Sequence, residues 1–121
     1  MLRIMLVVVF VCAGASTGWA ETHVVSAYTM SFSPETIVVA PGDTIRWEYV
    51  SGYPHTVTSG SKCKWDGLFD GELNGSGDVF EWVVPDGAPA SIPYFCDPHC
   101  KMGMTAQINV TAGPPGQGVL M

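Results

Sequence analysis

The sequence predicts an all-β domain, a sandwich or barrel of about seven to eight short strands, on three observations. Apolar and polar residues alternate with period two in several segments, most clearly Thr44 to Val50, where Ile45, Trp47 and Tyr49 share one face and Arg46 and Glu48 the other. Turn chemistry such as Pro41-Gly42-Asp43 and Pro85-Asp86-Gly87 separates the segments. No stretch after residue 20 carries a convincing helical period.

The chain opens with Met1-Leu2-Arg3, an apolar block from Ile4 to Ala13 and a small-residue end at Gly18-Trp19-Ala20, the order of a secretory signal peptide. Residues 1–20 are therefore set apart from the fold. The block is too short to span a bilayer, and Phe10-Val11 before Cys12 make a poor lipoprotein context. The expected product is a secreted or periplasmic domain over residues 21–112, with no membrane insertion of the mature chain. The Gly- and Pro-rich tail, 113–121, is expected to be disordered.

In order, Val24 to Phe32 reads as a strand with Tyr28, Met30 and Phe32 at period two, stopped by Ser33-Pro34. Thr36 to Ala40, Thr44 to Val50 and His55 to Thr58 follow. Ser59 to Gly77 holds five glycines and reads as an irregular loop with room for a helical turn. Asp78 to Val84, with Phe80, Trp82 and Val84 on one face, Ser91 to Cys96 and Thr105 to Thr111 complete the set. Trp47, Phe80 and Trp82 are read as core aromatics, and Asp66, Asp70 and Glu72 as a solvated loop edge.

Chemistry concentrates in Tyr94-Phe95-Cys96-Asp97-Pro98-His99-Cys100-Lys101-Met102-Gly103-Met104. Thiolate, imidazole and thioether together select copper, whereas Mg²⁺ and Ca²⁺ want oxygen. His55, after the turn Gly52-Tyr53-Pro54, is the candidate second imidazole of a His₂Cys plane with a weak axial methionine. Cys96, His99 and Met104 then fall on one loop between the last two strands, and Met104 begins the inward row Met104, Ala106, Ile108, Val110. Met102 lies in the loop, where strand parity has no force.

These residues carry a family resemblance. Phe32-Ser33-Pro34, Pro41-Gly42-Asp43-Thr44-Ile45-Arg46-Trp47, Gly52-Tyr53-Pro54-His55-Thr56-Val57, Leu68-Phe69-Asp70-Gly71 and Cys96-x₂-His99-x₄-Met104 resemble the cupredoxins of the plastocyanin and pseudoazurin type, over roughly residues 24 to 111. The resemblance implies a Greek-key β-sandwich and one type 1 copper ion, cycling between Cu(I) and Cu(II), held by His55, Cys96, His99 and Met104. It also implies a carrier of single electrons between transient protein partners, working as a monomer. Thr56 stands where the family commonly has Asn, which puts the hydrogen bond between the two ligand loops in question. Phe95 takes the place of an exposed Tyr in plant plastocyanins, and Lys62 and Lys64 lie where those proteins are acidic, so a photosynthetic partner is not supported.

Without Arg3, four basic residues face eleven acidic ones, which disfavours nucleic acid and anionic membranes and suits a basic protein partner. Three cysteines remain after processing, an odd number explained by a thiolate at Cys96 and a disulfide between Cys63 and Cys100. An enzyme is not expected. A binuclear copper centre would use Cys96 and Cys100 but lacks its further His, and a catalytic copper has only His23 to draw on. A copper-carrier alternative rests on that His: cleavage after Ala20 would expose Glu21-Thr22-His23, whose amine and His could form a four-nitrogen square plane.

Overall fold

The structure, a computed structural model, describes residues 19–112; nearly all of the expected signal segment and the whole expected tail lie outside the described residues. Among the described residues nine strands form two sheets: β1 Thr22–Ala27, β2 Phe32–Ser33, β3 Thr36–Val39, β4 Thr44–Tyr49, β5 His55–Ser61, β6 Lys64–Leu73, β7 Val79–Val83, β8 Ser91–Phe95 and β9 Thr105–Val110. One sheet has the order β2-β1-β4-β7 and the other β3-β9-β8-β5-β6. A 3₁₀ helix, Asp97–Met102, joins β8 to β9. Among the described residues no helix is long and apolar enough to cross a membrane.

The sandwich follows from the alternation. Ile45 and Trp47 of β4, Ile92 and Tyr94 of β8, and Ile108 of β9 turn inward and are buried between the sheets. Trp47 sits at the centre, edge-on to Tyr94 at 5.4 Å and stacked on Phe80 at 5.6 Å. Phe80 and Trp82 pack against this cluster from β7, as expected of core aromatics. On the wet face of the first sheet, Arg46 pairs with Glu48 at 2.8 Å and with Glu81 at 3.0 Å.

Two elements depart from the sequence reading, and they account for the higher strand count. The strand expected over Val24 to Phe32 is broken: β1 ends at Ala27, Tyr28 N–H donates to Ser31 O at 2.8 Å, and β2 returns antiparallel with Ala27 opposite Phe32. Of the three residues placed at period two, Phe32 alone is buried, while Tyr28 and Met30 face solvent at the turn. The inward row of β1 is Val25 and Ala27 instead.

The stretch Ser59 to Gly77 holds no helical turn; most of it is the end of β5 and the ten-residue strand β6. Two of its five glycines are there for close approach. A Cβ on Gly60, whose φ is +135°, would lie 1.9 Å from Lys64 O, and one on Gly71 would lie 2.3 Å from the Phe80 ring. Both are strand positions where a neighbour leaves no room for a side chain. The tip of the β5–β6 hairpin turns with Lys62 and Cys63 in the left-handed region and shares a cleft with Pro93 and Phe95. Phe95 is thereby buried although it points away from the main core.

Candidate metal centre

Three ligand atoms converge at one end of the sandwich. Cys96 Sγ lies 3.6 Å from His55 Nδ1 and 3.3 Å from His99 Nδ1, and the three residues are 0 %, 1 % and 6 % exposed. With bonds of about 2.0–2.3 Å, three ligands at the corners of a trigonal site stand about 3.5–4 Å apart, so the set fits a small N₂S metal centre. The soft sulfur and two imidazoles are the donor set that copper prefers.

Each ligand is positioned by a different device. His55 opens β5, and its Nε2–H donates to Ser51 O at 2.7 Å, which leaves Nδ1 unprotonated and aimed at the sulfur. Gly52, at φ +99°, makes the turn that brings Ser51 there; a Cβ on it would lie 2.7 Å from Thr29 Cα. Tyr49, whose ring centroid is 5.7 Å from that of His55, anchors the same turn by donating its hydroxyl to Gly52 O.

Cys96 ends the β8 row and starts the 3₁₀ helix. Burial pushes its thiol pKa up, partly countered by the backbone N–H groups of Thr56 and His99, which donate to the sulfur. A metal must therefore displace a proton from this thiol, and the two N–H groups already point where thiolate charge will form. Pro98 sits in the first turn of the helix and Gly103, at φ +96°, ends it with its N–H on Cys100 O and His99 O. Met104 follows, fully buried, its N–H on His99 O at 3.2 Å and its carbonyl accepting Cys96 N–H at 3.0 Å. Met102 is 60 % exposed.

The tie between the two ligand loops survives at Thr56. Asp97 N–H donates to Thr56 Oγ1 at 2.7 Å, the Thr56 hydroxyl lies 2.8 Å from Thr58 Oγ1, and Thr58 donates to Asp70 Oδ1 at 2.8 Å. Each oxygen accepts once and each hydroxyl donates once, so the chain has a single consistent direction ending on a carboxylate. Asp70 thus supports the site from two residues away in the chain of contacts. Sequence reading missed this, together with the roles of Ser51 and Tyr49. Asp66 and Glu72 are engaged separately, with Ser59 and Leu68, and with Asn74.

Cys63 and Cys100 form the expected disulfide, with Cα atoms 5.8 Å apart, and Cys96 is the free cysteine among the described residues. The bond removes Cys100 as a thiolate, which closes off the binuclear copper alternative. His23 lies at the other end of the sandwich. It sits opposite Ile45 at the start of the parallel β1–β4 pair, whereas Tyr49, beside His55, ends it. Thr22 and His23 are held extended in β1, so the square plane built from three consecutive nitrogens of residues 21 to 23 does not close in this fold.

The sequence matches the family of copper binding proteins of the plastocyanin/azurin type over residues 20–111. It is 27 % identical over 101 residues to a plastocyanin of Synechococcus sp. (strain JA-2-3B'a(2-13)), covering 75 % of this chain and 74 % of that protein. It is 28 % identical over 92 residues to the chloroplastic plastocyanin minor isoform of Arabidopsis thaliana, covering 68 % of this chain and 52 % of the relative. A purple cupredoxin from Nitrosopumilus maritimus superposes with a TM-score of 0.63 at 22 % identity, over 74 % of this chain and 99 % of that one, a likeness of fold alone. With a β-sandwich, an N₂S donor set and a family match over most of its length, the chain belongs to the plastocyanin/azurin family of copper binding proteins.

Proposed function

We propose that this chain is an exported small blue copper protein that carries single electrons between transient protein partners and catalyses no reaction of its own. The observation that carries the reading is the convergence of His55, Cys96 and His99 in a buried, hydrogen-bonded frame. Copper, when bound, supplies a one-electron couple. The residues do the rest: Cys96 and the two imidazoles would hold the ion, and Met104, held to Cys96 and His99 by backbone hydrogen bonds, would offer it a weak thioether. Ligands locked from behind by Ser51, Thr56 and Asp70 move little between oxidation states, and low reorganisation favours fast exchange.

His99 is the most exposed of the three and sits beside Pro98 and Met102, while Tyr53 and Pro54 precede His55. With Tyr53 79 % exposed, these form an apolar rim through which an electron reaches a partner docked on the His99 edge. The acidic balance of the chain favours a partner with basic residues around its own docking face. The monomer and the export to the periplasm or beyond belong to the same proposal; the monomer rests on the family resemblance, and the export on the leader-like segment and on the disulfide, which suits an oxidising compartment.

The oxidised, copper-loaded protein is expected to show intense visible charge-transfer absorption that bleaches on reduction. A colourless copper-loaded protein would overturn the proposal. The axial assignment has its own test. Met104→Gln is expected to keep the fold, lower the reduction potential and change the electron paramagnetic resonance spectrum, while Met102→Ala leaves both nearly unchanged. Exchange of these outcomes between the two variants makes Met102 the ligand.

A further inference from the structure

The chain has three histidines, and the copper centre uses two. The third, His23, is half-buried beside two carboxylates: its Nε2 lies 2.8 Å from Asp43 Oδ2 and 3.7 Å from Glu21 Oε1. We propose that His23, Asp43 and Glu21 form a second metal site, for a divalent transition ion of the Cu(II) class, at the opposite end of the sandwich from the His55–Cys96–His99 centre.

The geometry argues for it. Two bonds of about 2.0–2.1 Å to atoms 2.8 Å apart subtend about 85–90°, the cis angle of the tetragonal nitrogen and oxygen sites that Cu(II) and Ni(II) favour. Asp43 is a buried carboxylate whose position is fixed from behind, since Ala40 N–H donates to Oδ2 and Glu21 N–H to Oδ1, both at 3.0 Å. Backbone donors of this kind orient a ligating carboxylate without occupying the lone pair that faces the ion. Burial raises the Asp43 pKa, but these hydrogen bonds and His23 outweigh it and hold the carboxyl below its ordinary value, so the ligand is already charged.

The hydrogen bond between His23 and Asp43 marks where the ion sits. The ion takes the place of the bridging hydrogen: the ring adopts its Nδ1–H tautomer, and Nε2 and Asp43 Oδ2 both turn their lone pairs to the ion. Glu21 is 71 % exposed at its side chain and swings in as the third ligand, and water fills the remaining positions. The ion then links the start of β1 to the turn between β3 and β4. This site does not require a processed amino terminus, because no ligand comes from the main chain.

The test adds one equivalent of Cu(II) to the oxidised protein with its first copper in place. One further ion is expected to bind, with a second paramagnetic resonance signal of wide hyperfine splitting and coupling to a single nitrogen, and with the visible band unchanged. His23→Gln should remove that signal, and Glu21→Gln, at an exposed side chain, should weaken binding at least about tenfold. Zn(II) in large excess should displace the second copper without bleaching the first. Absence of a second signal, its survival undiminished in His23→Gln, or coupling to three or four nitrogens, which would place the ion on the amino terminus, each overturns the proposal. If the visible band never forms while the one-nitrogen signal does, the blue-copper electron-carrier reading of the first centre fails and this one stands.

Discussion

Cys96→Ser is expected to abolish the visible absorption of the copper-loaded protein and to weaken copper binding by more than the ~10–100-fold typical of a change one shell further out. The colour requires a thiolate bound to Cu(II), and no other thiol can replace it among the described residues, since Cys63 and Cys100 are joined to each other. The hydroxyl that replaces the sulfur is a harder, weaker donor that stays protonated at neutral pH, so the strongest bond of the plane is lost. The fold should persist. A serine oxygen can accept the N–H groups of Thr56 and His99 that now face the sulfur, so the metal-free variant should unfold within about 1–2 kcal/mol of the metal-free parent. Chemical denaturation of the two metal-free proteins measures that difference. A variant that stays intensely coloured would show that the sulfur of Cys96 is not the ligand.

The ligands were legible in the sequence because few other reasons place a thiol, an imidazole and a thioether at these spacings, and because His55 follows a turn that ends one strand and starts another. What positions them was not. Ser51 acts through its carbonyl, which every residue has, so no side-chain type announces it. The chain from Thr56 through Thr58 to Asp70 exists only because β5 and β6 pair with Thr58 opposite Asp70, and the sequence reading had no β6 to pair. That β5–β6 hairpin was hidden by its own glycines. Gly60 and Gly71 resemble loop residues locally, yet each is required by a neighbour distant in sequence or by a backbone turned back on itself, Phe80 in one case and Lys64 in the other. Alternation placed Ile45, Trp47 and Ile108 correctly because β4 and β9 each keep one parity turned toward the core. It failed at Tyr28 and Met30, where the chain had already turned and period two no longer reported a face.

Replacing both Cys63 and Cys100 by alanine is expected to destabilise the protein by about 4 kcal/mol, the loop-entropy value for a bond spanning 37 residues. The double variant is the right comparison, because either single one leaves a thiol next to the copper centre. Most of the cost falls on the unfolded chain, which becomes more extended without the crosslink, so the denaturant slope should rise along with the loss of stability. A slope that does not change would place the cost in the folded state instead. The copper centre itself should survive in the double variant, since His99 keeps three other supports: the Asp97 bond to Thr56, the Gly103 cap and the Met104 N–H on its carbonyl. Cys63→Ala alone should behave differently. It frees the Cys100 thiol between His99 and Lys101, on the same short helix as the ligand loop, where it competes with Cys96 for copper. The visible spectrum of the single variant should therefore be altered or heterogeneous while that of the double variant resembles the parent. Identical spectra in all three would mean that the disulfide acts on stability alone and does not guard the choice of sulfur.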